Sequence, residues 1–140
     1  MPIAAIDFGR RWLGLAVADP DSGLGARPVG AIERRSVRRD IEALRRRMAE
    51  LEITRVIVGL PLNMDGSVGP MALAATRFAD SLRAATGLPV ELFDERLSSF
   101  EAERRIRESA GTSRRLGSID AVAAAVILDS WLAGRSTTAN

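Results

Sequence analysis

Cysteine, histidine, lysine and tyrosine are all absent from this 140-residue chain. Without cysteine there is neither a disulfide framework nor a thiolate nucleophile. Without histidine the usual zinc ligand and the usual general base are also missing. Any catalysis must run on carboxylates, arginines, hydroxyls or a bound hard cation. No apolar run approaches the ~18–20 residues that span a membrane, and the N-terminus enters a strand-like segment with no basic leader or cleavage site. The expected location is the cytoplasm.

The missing lysine means that all twenty basic residues are arginine. The high isoelectric point, near 10.7, has a mundane origin. Almost nothing titrates between the carboxylates and the arginines, so a net charge of only +2 drives it upward. The clustering of arginines is more informative than their excess. An apolar share of 46% fits a globular protein, and the length suits one well-cored domain. We expect that domain over residues 1–134, with 135–140 as a disordered tail beyond Gly134.

Hydrophobic patterning predicts strands over 3–8 and 13–18, joined by a glycine-arginine turn, and a third from Pro28 to Ile32. Between Ser36 and Leu51, the residues Val37, Ile41, Leu44, Met48 and Leu51 recur at helical spacing. Arg38, Arg39, Arg45, Arg46 and Arg47 lie off that stripe, as a solvated face or a nucleic-acid contact. A buried strand over 55–60 feeds the loop Pro61–Ser67, and a second helix carries Met71, Ala75, Phe78, Leu82 and Ala85 before stopping at Gly87. A fifth strand, Pro89 to Phe93, ends at Asp94-Glu95-Arg96. Ser98 and Glu101 form a capping box for a third helix, and Ser118 caps an almost wholly apolar last one. This order predicts an α/β domain with a five-stranded mixed sheet flanked by helices.

Three acids fall at element ends, where ligands gather in open α/β sheets. Asp7 ends the first strand, Glu95 follows the fifth, and Asp120 stands in the first turn of the buried helix. Each has a plain structural alternative. Asp7 could close its turn, Glu95 could pair with Arg96, and Asp120 could favour its helix's positive end. If they converge, their like charges raise one another's pKa unless a divalent cation is present. Oxygen-only ligands would favour Mg²⁺ or Mn²⁺ over zinc.

Four blocks carry a family resemblance. They are Asp7-x-Gly9 with Arg11 and Gly14; Val58-Gly59-Leu60-Pro61-Leu62-Asn63-Met64-Asp65-Gly66-Ser67; Asp94-Glu95-Arg96-Leu97-Ser98-Ser99; and Ile119-Asp120-x-x-Ala123-Ala124. In this order they resemble the signature of the YqgF family, also known as RuvX, whose fold is ribonuclease H-like. The resemblance implies that Asp7, Glu95 and Asp120 are the metal-binding catalytic acids of a phosphodiesterase. It implies two-ion hydrolysis without a covalent intermediate, in keeping with the absence of histidine and cysteine. Arg11, Arg96, Arg114 and Arg115 become candidates for holding backbone phosphates. Asn63 and Ser67 could contact substrate from their loop, or the loop could simply pack the crossover. The chain departs from the family at Arg10, where a small residue is usual, and at Trp12, where an arginine is usual. Trp12 could stack on a base or pack into the core.

Two substrates follow from the resemblance: the 5′ end of precursor 16S ribosomal RNA, or a four-way DNA junction, which would call for a homodimer with two sites. Asp-x-Gly after a first strand also resembles the phosphate loop of actin-like ATPases. Those need a second domain and a second glycine-rich motif, which 140 residues do not supply. A non-catalytic nucleic-acid-binding module is the third reading. It is disfavoured because clustered acids without metal repel phosphate.

Overall fold

The computed structural model describes residues 1–98, Arg104, Glu108 and 118–138; the side chains of residues 118 and 136–138 fall outside the description. Five strands form one sheet: β1 (Ile3–Phe8), β2 (Trp12–Ala18), β3 (Arg27–Glu33), β4 (Arg55–Leu60) and β5 (Val90–Asp94), in the order β3-β2-β1-β4-β5. The first three are antiparallel neighbours, while β4 runs parallel to β1 and β5 parallel to β4. The three parallel strands therefore finish at one edge of the sheet. The mixed sheet expected from the sequence is the one observed.

Helices α1 (Val37–Glu50), α2 (Pro70–Thr86) and α3 (Ser118–Thr138) cover the faces. Ser36 caps α1 by accepting a hydrogen bond from the Arg39 amide, satisfying one of the orphan donors at its start. Pro70 opens α2, and Gly87 closes it in the left-handed conformation at φ 70°. The expected third helix from Ser98 lies outside the described residues, apart from Arg104 and Glu108, which are helical. One expectation is corrected: α3 continues through Thr138, so residues 135–138 are helical. Gly134 lowers helix propensity without forcing a stop. Arg135 lies 4.7 Å over the Trp131 ring one turn earlier and sits in the last turn, where a cation is favoured.

Strand alternation divides the core in two. Ala4, Ile6, Phe8, Leu13, Leu15, Val17, Val56 and Val58 point toward α1 and α2. Ile3, Ala5, Ala16, Ala18 and Ile57 face α3, packing on Ala124, Ala125, Leu128 and Trp131. The α3 face of β1 and β2 is lined by alanine, so the helix approaches closely. Period-two alternation then puts Asp7, Gly14 and Gly59 on this same face. Among the described residues, no helix is long and apolar enough to cross a membrane.

Candidate active site

Asp7 is the penultimate residue of β1, half-buried on the α3 face. Its neighbour on β2 is Gly14, and one step past the Ile6–Val58 pairing its neighbour on β4 is Gly59. Glycine weakens a strand, so two flanking one acid need a reason. At Gly14, an added Cβ would collide with the Asp120 carbonyl. A Cβ at Gly59 would stand 2.5 Å from Glu95 Oε1 and 2.7 Å from Ile127 Cδ1. One glycine thus lets the start of α3 press onto the sheet with Asp120, and the other leaves room for the Glu95 carboxyl. Gly9, in the turn after β1, would bring a Cβ to 3.7 Å from Asp120 Oδ1 and 2.7 Å from the Trp12 carbonyl.

The result is an acidic cluster at the edge where the parallel strands end. The Asp7 and Glu95 carboxyl groups lie within hydrogen-bonding reach of one another. Burial, then the nearby Asp120 charge, pushes Asp7 up to about 6. Burial, then the Asp7 charge, pushes Glu95 up to about 7. Burial also raises Asp120. No cation among the described residues offsets Asp7 or Glu95; what acts on them is desolvation and other carboxylates. Two hydrogen-bonded carboxyls must share a proton or surrender it to a cation. An all-oxygen donor set suits a hard divalent ion, so the chemistry of these residues fits Mg²⁺ or Mn²⁺. With the side chains as they lie, no group of three acids among the described residues is gathered into liganding geometry.

The other predicted residues fare differently. Glu95 opens a 3₁₀ turn, Glu95–Leu97, and does not pair with Arg96. Arg96 instead clamps Asp94 through Nε at 3.1 Å and Nη2 at 2.7 Å, and donates from Nη1 to the Met64 carbonyl at 3.3 Å. It ties the end of β5 to the loop after β4. Within that loop Asn63 Nδ2 donates to Ser67 Oγ at 2.9 Å, and Ser67 Oγ donates to Asp65 at 2.6 Å. The polar groups of both residues are thus engaged in holding the loop. Arg11 is exposed on the turn beyond Asp7, 4.0 Å from Glu33, and Arg10 beside it is exposed too. Trp12 is half-buried at the start of β2, belongs to neither core cluster, and has the Arg11 guanidinium 5.9 Å above its ring. Arg114 and Arg115 lie outside the described residues.

Sequence reasoning missed Arg34 and Asp40. Arg34 donates to the Gly9 carbonyl at 3.0 Å, lies 4.4 Å over the Phe8 ring and approaches Asp40 at 3.7 Å. Asp40 is 2% exposed and also accepts from the Arg35 amide. This pair braces the turn that follows Asp7. A lone acid in the first turn of a helix gave no hint of it.

Comparison with known proteins bears on the family and the fold. The sequence model of the RuvX family, described as Holliday junction resolvase, matches residues 1–134. A protein of Anaeromyxobacter sp. (strain Fw109-5) named "Putative pre-16S rRNA nuclease" is 50% identical over 136 residues, covering 96% of this chain and 98% of its own. One of the same name from Chloroflexus aurantiacus (strain ATCC 29366 / DSM 635 / J-10-fl) is 40% identical over 139 residues, covering 99% and 90%. Among solved structures, Thermus thermophilus RuvC aligns at a TM-score of 0.66 and 18% identity, over 96% of this chain and 97% of that one. Fowlpox virus resolvase, solved with Holliday junction DNA, aligns at 0.60 and 12%, over 96% and 99%. At such identities the likeness concerns the fold alone, which is ribonuclease H-like.

Proposed function

This chain belongs to the RuvX family, and on that premise we propose that it is a divalent-metal-dependent nuclease processing the 5′ end of precursor 16S ribosomal RNA in the cytoplasm. One observation carries the reading: Asp7 and Glu95 lie within hydrogen-bonding reach of one another, half-buried and near the Asp120 charge, with no basic side chain among the described residues offsetting them. A purely structural cluster would be stabilised by an arginine, of which this chain has many. Asp7, Glu95 and Asp120 would hold Mg²⁺ or Mn²⁺. Such an ion, when bound, activates water toward a phosphodiester and stabilises charge on the leaving oxygen.

The chain's own residues set the conditions for that chemistry. Asp7 and Glu95 have to release their shared proton, which burial and mutual repulsion make late to leave. Gly14 and Gly59 fix how closely Asp120 and Glu95 approach Asp7. The Arg34 bond to the Gly9 carbonyl holds the turn that directs Asp7. Arg10 and Arg11, exposed on that turn, are placed to take substrate phosphates. Arg96 acts indirectly, by anchoring the Asn63–Ser67 loop beside the cleft. Where Arg114 and Arg115 act, we assign them to phosphate contact from the family pattern alone.

A second reading is resolution of four-way DNA junctions, favoured by the description of the family model. It would require a homodimer presenting two sites. The test compares leader RNA and a synthetic junction in parallel with Mn²⁺. Preferential cleavage of the leader supports the first reading. Paired symmetric nicks in the junction, with the leader untouched, would replace it by the second.

A further inference from the structure

We infer that an exposed arginine band carries the phosphate backbone of the nucleic-acid segment flanking the cleavage point. It runs from Arg10 and Arg11, on the turn after Asp7, through Arg35 to Arg38 and Arg39 at the start of α1. This inference rests on the nuclease reading above and adds a surface to it. The band is continuous. The Arg34 amide donates to the Arg11 carbonyl at 2.8 Å, joining the turn to the end of β3. Glu33 lies 4.0 Å from Arg11 and 3.8 Å from Arg35, so one carboxylate serves two guanidinium groups. Ser36 follows and caps α1 on the Arg39 amide at 3.2 Å. Of the other nearby acids, Asp40 is buried and turned toward Arg34 and the Arg35 amide, and Glu42, which lines one surface hollow with Arg38 and Arg39, is taken by Arg45 and Arg46.

The two ends of α1 differ in how their charge is matched. Arg45 and Arg46 both reach Glu42, at 2.6 and 3.4 Å, and Arg47 reaches Glu50 at 3.3 Å. Arg38 and Arg39 are exposed and have no carboxylate partner among the described residues. Nor do they help the helix, because a cation in the first turn opposes the macrodipole. Unmatched guanidinium forks placed against their helix, and joined to the turn that leaves the acidic cluster, are suited to phosphate. A strand entering the site would lie along them, each contact releasing a counterion.

The test measures binding against salt for a labelled precursor 16S leader hairpin and a four-way DNA junction, with cleavage silenced by Asp7→Asn throughout. Adding Arg38→Ala with Arg39→Ala should lower the slope of log affinity against log salt by about 1.8 on duplex, or about 1.4 on single strand. Arg38→Lys with Arg39→Lys should keep most of the slope, which separates lost charge from lost folding. Arg77→Ala with Arg83→Ala, exposed on α2, changes net charge equally and should leave the slope near the parent's. An unchanged slope for the Arg38/Arg39 pair overturns the inference, as does an equal fall in the Arg77/Arg83 control. Failure of the nuclease reading would show separately, as no cleavage by the chain with Asp7 intact.

Discussion

Replacing Asp7 by asparagine should stabilise the metal-free protein at alkaline pH while removing its activity. Asp7 titrates in the folded chain near 6 against an ordinary value of 3.8. A difference of about two units corresponds to about 3 kcal/mol. The sign follows from linkage: the folded state binds the proton more tightly than the unfolded state. That contribution to stability is complete below pH ~4 and is lost as pH rises through about 6. Glu95, raised from 4.5 to about 7, behaves the same way, but the pair shares a proton and the two costs do not add. At pH 8 with a chelator, Asp7→Asn should therefore gain about 2–3 kcal/mol, a rise in Tm of roughly 5–10 °C for a domain of this size. Near pH 4 the gain should vanish. Differential scanning calorimetry across pH 4–8 measures it. Mn²⁺ should then raise the Tm of the parent at pH 8 and leave the variant nearly unmoved. A variant less stable than the parent at pH 8, or an offset independent of pH, would refute the reasoning.

Three further expectations concern the site's supports. Cleavage by the metal-loaded protein should rise with pH through about 6 to 7, because the ligands act as carboxylates; a rate that falls across that range would contradict the shared proton. Gly14→Ala drives a methyl into the backbone of Asp120, which cannot yield as a flexible side chain would. It should cost about 1–3 kcal/mol in denaturant melts and reduce single-turnover cleavage roughly 100-fold. Arg34→Ala leaves the buried Asp40 carboxylate without its cationic partner and should cost about 3 kcal/mol. A double-mutant cycle with Asp40→Asn should recover much of that loss, and simple additivity would argue against the pair.

Much of the architecture could be read from residue patterns because local signals agreed with the tertiary result. The apolar segment of β1, the helical spacing between Ser36 and Leu51 and the stop at Gly87 all predicted what is observed. The end of α3 was misjudged because Gly134 looked like a terminator, and the Arg135–Trp131 contact that outweighs it is visible only in three dimensions. The three acids could be named from their element ends. Their meeting depends on sheet order, since β4 must lie between β1 and β5 for Gly59 to open space for Glu95 beside Asp7. Arg96 shows the opposite limit. The family resemblance makes it a candidate for phosphate contact, and nothing along the chain tells that its own neighbour Asp94 pairs with it. Gly14 and Gly59 were visible as glycines within strands, but nothing along the chain says which backbone each one admits.

The most direct test of the central claim is single-turnover cleavage of a precursor 16S leader RNA with Mn²⁺, comparing the parent chain with Asp7→Asn, Glu95→Gln and Asp120→Asn. Losing a metal-holding carboxylate removes several kcal/mol of transition-state stabilisation, so each variant should fall by about 1,000-fold or more while keeping its cooperative melt. Cleavage by the parent and none by the folded variants is the predicted result. Equal cleavage by the Asp7→Asn protein, or no cleavage of leader RNA or junction by the parent, would contradict it.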